Sequence, residues 1–143
     1  MAADQARVLR VTRRFDASPQ RVFDAWLDPK LAGRWLFTSP TSETHTTQID
    51  ARIGGAWSIT DRRDGVDYRA IGEYLQIDPP RRIVFTFAMP QFSDAFDTVT
   101  VDLAPDGAGC ILTLTQVGVA PEDQAATLAG WDGMFDMLAV VAA

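Results

Sequence analysis

The sequence is poor in the residue types on which many activities depend. Its 143 residues include one cysteine, Cys110, and one histidine, His45. A single cysteine excludes an internal disulfide, and a zinc or haem site would lack almost its whole ligand set. HExxH and G-x-S-x-G motifs are missing, and Gly54 and Gly55 stand without the glycine or lysine that completes a phosphate loop. The sequence therefore predicts that the protein has no metal site and no cofactor, and it contains no recognisable catalytic motif.

Long apolar runs are missing as well. The opening MAADQARVLR has no apolar segment of the secretory type. We expect the closing helix to be too short, and too interrupted by Asp132 and Asp136, to span a bilayer. Together with the single cysteine, these features predict a cytoplasmic protein. The length is typical of one domain, which we place over residues 1–143.

Basic residues are absent after Arg82. All 13 of them, with 11 of the 19 acidic residues, lie at or before that position, so the first 82 residues carry +2 and the rest −8. The net charge of −6 argues against general affinity for nucleic acid. Either the two halves pack together and their charges mix, which we favour, or the acidic last third meets a basic protein partner.

What is present is a regular alternation of apolar and polar residues, which predicts strands. ARVLRVTRRF is the first strand, and about six more lie before Val119. Asp64-Gly65 and Asp106-Gly107 are hairpin signals, which favour antiparallel pairing over a parallel sheet. Residues 38–47, rich in serine and threonine, are predicted to form a loop.

Helices are predicted after the first strand and at the end of the chain. ASPQRVFDAWLDP begins with Ser18 as N-cap and Pro19 at the first helical position, and KLAGRWLF adds a turn or two. Pro121, with acidic neighbours, opens the last helix. The predicted fold class is α+β: a curved antiparallel sheet of about six or seven strands wrapped on a long C-terminal helix.

Four segments make the chain resemble a known family. VTRRFDASPQRVFDAWLDPKLAGRW, GG.W, G.Y..IDPPRRIVFTF and GW..M...L are similar to the heat-shock protein 90 ATPase activator-like proteins of the START-like, or SRPBCC, superfamily. The resemblance runs from about Val8 to Val141 and is mostly architectural. It implies a helix-grip fold with an internal hydrophobic cavity between the sheet and the last helix.

The last helix carries an apolar stripe at helical spacing, which predicts that one side faces the sheet. Gly130 and Gly133 each weaken a helix interior by up to about 1 kcal/mol, and we interpret them as letting neighbouring backbone approach closely. The alternative to a cavity is a fully packed core with methionine as filler. The predicted ligand-contacting residues are Trp35, Phe37, Trp57, Ile59, Tyr68, Phe85, Phe87, Met89, Trp131, Met134, Phe135 and Leu138.

Polar candidates for chemistry are few. His45 could act as a general base oriented by Glu43, but a solvated loop histidine is the favoured interpretation. The predicted strands also carry three charged residues with aromatic neighbours: Asp61, Arg69 and Glu73. One register of these strands would place some of the three inside the cavity. The favoured interpretation places them on the solvent-exposed face of the sheet. Cys110 has no activating neighbour in the local sequence, which predicts a buried, inert thiol.

The favoured function is binding of a small hydrophobic molecule, lipid-like or aromatic, in the internal cavity. A protein-interaction or co-chaperone-like module is the alternative, and a homodimer through an exposed sheet edge also stays open. A cyclase- or hydrolase-like enzyme ranks third, because no complete acid/base pair is legible.

Overall fold

The chain folds around one antiparallel sheet. The computed structural model describes residues 7–39 and 41–143. The strands are β1 (Val8–Phe15), β2 (Thr44–Ile49), β3 (Ala56–Arg63), β4 (Val66–Asp78), β5 (Arg82–Phe87), β6 (Asp97–Asp106) and β7 (Gly109–Val117). They lie in the order β1-β7-β6-β5-β4-β3-β2, and every neighbouring pair is antiparallel. The predicted α+β class is therefore confirmed.

The helices begin where the sequence provides caps. They are α1 (Pro19–Leu27), α2 (Pro29–Ala32) and α3 (Gln124–Ala142), the last preceded by a 3-10 turn over Pro121–Asp123. The Ser18 hydroxyl accepts a hydrogen bond from the Arg21 backbone N–H at 3.2 Å and so starts α1. Asp28 ends α1 and caps α2 by accepting from the Lys30 N–H at 2.9 Å.

Two tight turns set the register of their hairpins. Asp64 and Gly65 have φ of 51° and 74°, the left-handed conformation of a tight turn whose twist matches the flanking strands. Gly107, between β6 and β7, has φ of 59°. Because register decides which face each side chain takes, these turns place the apolar residues of the paired strands on one inner face.

The core lies between that inner face and the helices. The Trp26 ring of α1 meets Trp35 edge-on at 4.6 Å and lies 6.0 Å from Trp131 of α3. The Trp35 indole N–H donates to the Ala25 carbonyl at 2.9 Å, which satisfies a polar atom inside the core. The buried residues of α3 are Trp131, Phe135, Leu138 and Ala142, the stripe that the sequence predicts.

Part of the segment predicted as a loop is β2. Its sequence THTTQI lacks apolar alternation, so nothing local marks it as a strand. It is held at the sheet edge by pairing with β3 alone. An edge strand tolerates polar residues because one of its sides stays open to solvent.

The expected role of the two glycines in the last helix is wrong, and so is the expectation that this helix is too short to span a membrane. A Cβ added at Gly130 or at Gly133 would meet no atom within 4 Å, so neither glycine serves close backbone approach. Pro121–Ala142 is long and apolar enough for a membrane span by length and composition alone, with a mean hydropathy of 1.2. A core helix of a soluble protein meets the same criteria, so it is not a clear membrane span. In the fold its apolar stripe packs on the sheet, and Asp136 on its outer face pairs with Arg13 at 2.7 Å.

Candidate functional site

A cleft opens beside the first half of α3. None of the residues 124–130 is buried, because this part of the helix stands away from the sheet. The space between it and the loop joining β5 to β6, residues 88–96, is a cavity of about 750 Å³. A smaller cavity of about 170 Å³ adjoins it, and the two share Phe37, Met89, Gly130 and Met134. Together they form what we call the α3 cleft.

Phe37 forms the apolar floor of the cleft. Its ring stacks on Phe87 at 4.8 Å and on Trp57 at 5.5 Å, and it lies 5.6 Å from Trp131. Its backbone has φ of 51°, which bulky residues rarely adopt. The Phe37 N–H points at the Met134 sulfur, 3.1 Å away. Packing on all these sides holds a strained backbone, which turns the ring inward.

The interior behind this floor is filled. Between α1 and the sheet, the gap bounded by Trp26, Trp57 and Phe85 has a volume of only about 10 Å³. Such a space holds at most about one water molecule. The middle of the helix–sheet interface is therefore a packed core, as in the alternative interpretation, and the open space lies at one end.

The predicted ligand-contacting residues divide accordingly. One group lines the cleft: Phe37, Tyr68, Phe87, Met89, Trp131 and Met134. The other group is buried in the core at 4% exposure or less: Trp35, Trp57, Ile59, Phe85, Phe135 and Leu138. Of the second group, Trp57 touches the floor through its stack with Phe37.

One wall of the cleft carries a polar network that the sequence reasoning missed. Gln116, 2% exposed, donates through Nε2 to an Asp97 carboxylate oxygen at 2.7 Å. Its Oε1 accepts from the Trp131 indole N–H at 2.8 Å. The sequence of β7 contains a sign of this network, because Gln116 continues the inward-facing alternation of Leu112 and Leu114. A polar residue in an apolar stripe indicates a buried hydrogen-bond partner.

A second polar cluster surrounds Asp61, which is 1% exposed. Its carboxylate accepts hydrogen bonds from the hydroxyls of Thr38 at 3.1 Å and Ser42 at 2.9 Å. The Nδ1 atom of His45 lies 3.2 Å away, and the Nε atom of Arg63 lies 2.8 Å away. These partners satisfy a buried charge that would otherwise be costly.

The sequence favoured a solvated loop histidine at His45, and this interpretation is wrong. His45 lies in β2 opposite Asp61, with its side chain 14% exposed. Its partner is also not Glu43, which instead accepts the Gly65 backbone N–H at 2.8 Å. The Cδ2 edge of the His45 ring faces Gly33, whose added Cβ would lie 3.6 Å from it. This geometry makes His45 a support for Asp61 rather than a base in the cleft.

Asp61 also differs from Arg69 and Glu73 in the face it takes. It shares the inward alternation of Trp57 and Ile59 on β3, whereas both other residues are exposed. Arg69 and Glu73 lie opposite Thr60 and Ala56 and line a cavity of about 740 Å³ on the outer face of the sheet. Neither of them lines the α3 cleft.

Two other ionisable groups are buried in the fold. Burial raises the pKa of the Cys110 thiol, which is 0% exposed. Burial also raises the pKa of the Tyr74 phenol above its usual range. Desolvation disfavours the charged forms of both groups. Cys110 is thus the buried thiol that the sequence predicts.

The acidic last third is partly neutralised by arginines from the first part of the chain. Asp102 pairs with Arg82 at 2.6 Å, and Asp106 pairs with Arg14 at 2.7 Å. With the pair between Asp136 and Arg13, these contacts mix the charges of the two halves on one surface. Exposed pairs of this kind add little stability, but they reduce the acidic field available to a partner.

Comparisons with known proteins agree with this architecture. The family model described as activator of Hsp90 ATPase homolog 1-like protein matches residues 16–143. A crystal structure of a protein from Chromobacterium violaceum is 29% identical, with a TM-score of 0.81, over 95% of this chain and 96% of that one. A search of curated proteins finds no match.

More distant structures show the same fold. A protein from Arthrobacter aurescens is 22% identical, with a TM-score of 0.82, over 96% of this chain and 87% of that one. An AHSA1-like protein from Aeromonas hydrophila is 22% identical, with a TM-score of 0.77, over 93% and 91% of the two chains. The family model over residues 16–143 shows that the chain belongs to the activator of Hsp90 ATPase homolog 1-like family, and the seven-stranded sheet on its C-terminal helix agrees with it.

Proposed function

We propose that this protein binds a small apolar or amphipathic molecule, lipid-like or aromatic, in the α3 cleft. The observation that carries the proposal is an open space of about 750 Å³ with an aromatic floor beside an otherwise filled interior. Small-molecule sites are concave, mostly apolar and about 300–1,000 Å³ in volume, with a few polar groups that fix orientation. Gln116 and Arg63 supply such groups at the two ends of the cleft.

Gly130 keeps the cleft open. It lines both cavities, and a Cβ added there would project into space with no atom within 4 Å. A larger side chain at this position would occupy the ligand's volume without disturbing the core. Gly133 is the matched control, because it has the same free space but lines neither cavity. Replacing either glycine by leucine also removes a helix-weakening residue, by up to about 1 kcal/mol.

The test uses a neutral fluorescent probe, 1-pyrenebutanol. We expect it to bind the unmodified protein and the Gly133→Leu variant with similar affinity. Gly130→Leu should weaken binding at least tenfold while it leaves the thermal unfolding temperature equal or higher. Failure of the unmodified protein to bind the probe, or equal binding by all three proteins, would overturn the proposal.

Native mass spectrometry of freshly purified protein is the complementary measurement. It reports a retained molecule and the number of subunits together. A mass excess that disappears in Gly130→Leu and persists in Gly133→Leu would place the retained molecule in the cleft.

A further inference from the structure

Arg63 lies at the inner end of the α3 cleft. It follows Ile59 and Asp61 in the inward alternation of β3, and it lines the smaller cavity with Tyr68 and Met134. Its guanidinium carbon stands 4.4 Å from the centre of the Tyr68 ring. Its Nε atom lies 2.8 Å from an Asp61 carboxylate oxygen. Contacts on two sides therefore hold the cation in one position.

Asp61 does not use up the hydrogen-bonding capacity of this arginine. Its carboxylate already accepts from Thr38 and Ser42, and its 2.8 Å approach to Arg63 is at Nε. Within residues 7–39 and 41–143, no other carboxylate lies within 4.0 Å of the guanidinium, and Nε forms no hydrogen bond although it lies 2.8 Å from Asp61, so that contact is an ion pair. The side chain is 39% exposed where the cleft reaches it.

A guanidinium fixed in this way suits a carboxylate. Its planar donors match the two oxygens of a carboxylate, and a pre-oriented side chain loses little entropy when it binds. A purely structural role does not require the ion pair, since apolar residues of similar volume stabilise a core at least as well. Phe37 lines the smaller cavity with Arg63, and it lines the adjoining larger cavity with Phe87.

We infer that the ligand of this cleft is an amphipathic organic acid. Its carboxylate binds the terminal nitrogens of Arg63, and its apolar body lies along Phe37, Phe87 and Met134. This inference rests on the proposed function and narrows it, because a neutral apolar molecule would gain nothing from Arg63.

The experiment compares 1-pyrenebutyrate with 1-pyrenebutanol, which share the ring and chain and differ in the terminal group. The unmodified protein should bind the acid at least about tenfold more tightly than the alcohol, the size of one charge-assisted hydrogen bond. Arg63→Met should reduce that ratio to about one, chiefly by weakening the binding of the acid. Arg62→Met is the control for net charge, because Arg62 pairs with Asp67 at 3.1 Å outside the cleft. It should keep the preference.

The outcomes separate the two proposals. If the alcohol binds but the acid binds no better, or if the preference survives Arg63→Met, the carboxylate assignment is wrong and the cleft still binds apolar ligands. If neither probe binds, both proposals fail. Should Arg63→Met unfold because Asp61 is left unpaired, the double variant Asp61→Asn/Arg63→Met removes both charges and must lose the preference as well.

Discussion

Replacing Gln116 by methionine should destabilise the fold by removing the bridge between α3 and the sheet. Gln116 links the Trp131 indole N–H, at 2.8 Å, to the Asp97 carboxylate, at 2.7 Å. Methionine has nearly the same shape, so the change removes hydrogen bonds without opening a large cavity. Trp131 is 2% exposed, and its N–H would be left buried without an acceptor.

The magnitude follows from the burial of the two partners. An unsatisfied buried donor costs about 1–3 kcal/mol, and the half-buried Asp97 adds about 1 kcal/mol because water can partly replace its lost donor. The expected loss is about 2–4 kcal/mol in the free energy of unfolding. For a domain of this size, each kcal/mol lowers the Tm by about 2–4 °C, so we expect a fall of about 5–15 °C.

Urea unfolding followed by tryptophan fluorescence measures this loss. Gln48→Met is the control, because Gln48 is exposed on β2 and its replacement should change stability by less than about 0.5 kcal/mol. In a Trp131→Phe background, Gln116→Met should lower the free energy of unfolding by at least about 1 kcal/mol less, because the buried indole N–H of Trp131 is then absent. If Gln116→Met is as stable as the unmodified protein, the bridge is not a stabilising interaction and the reasoning is refuted.

Three further predictions concern the floor of the cleft and the single thiol. Phe37→Ala should lower the free energy of unfolding by about 2–4 kcal/mol, because three ring contacts worth about 0.5–1.5 kcal/mol each are lost. Phe37→Gly should be no less stable than Phe37→Ala in urea unfolding, since glycine adopts φ of 51° without strain; a clearly less stable glycine variant would argue against backbone strain there. Burial raises the pKa of Cys110, so DTNB at about pH 8 should label it only as the protein unfolds; rapid labelling in native buffer would contradict its burial.

The elements that sequence patterns locate are those with local causes. Ser18 and Pro19 begin α1 because the cap and the proline φ act within one turn. Asp64-Gly65 turns the chain because both residues accept positive φ. The alternation of β5, β6 and β7 follows from which face is buried, and the apolar stripe of α3 follows from helical spacing.

β2 and the surroundings of His45 could be identified only from the tertiary structure. THTTQI becomes a strand only because β3 offers a free edge, which a local pattern does not reveal. The alternation of Trp57 and Ile59 indicates that Asp61 faces inward. Its burial, however, depends on the hydroxyls of Thr38 and Ser42, about 20 residues away in the sequence. Burying a carboxylate is unfavourable until such partners are in place, so residue type alone favoured the solvent side.

The open space itself is a property of three dimensions. Residue periodicity is enough to predict an antiparallel sheet gripping a final helix, because burial of one face determines the order of apolar residues. The resemblance to the family rests instead on four sequence segments. Periodicity does not determine the volume left between the sheet and the helix. Whether sheet and helix mesh depends on how Phe37 turns inward at positive φ, how Trp26 and Trp57 fill the middle, and how the first half of α3 stands off the sheet. Those distances arise only when the elements dock, and they leave room at one end of the interface.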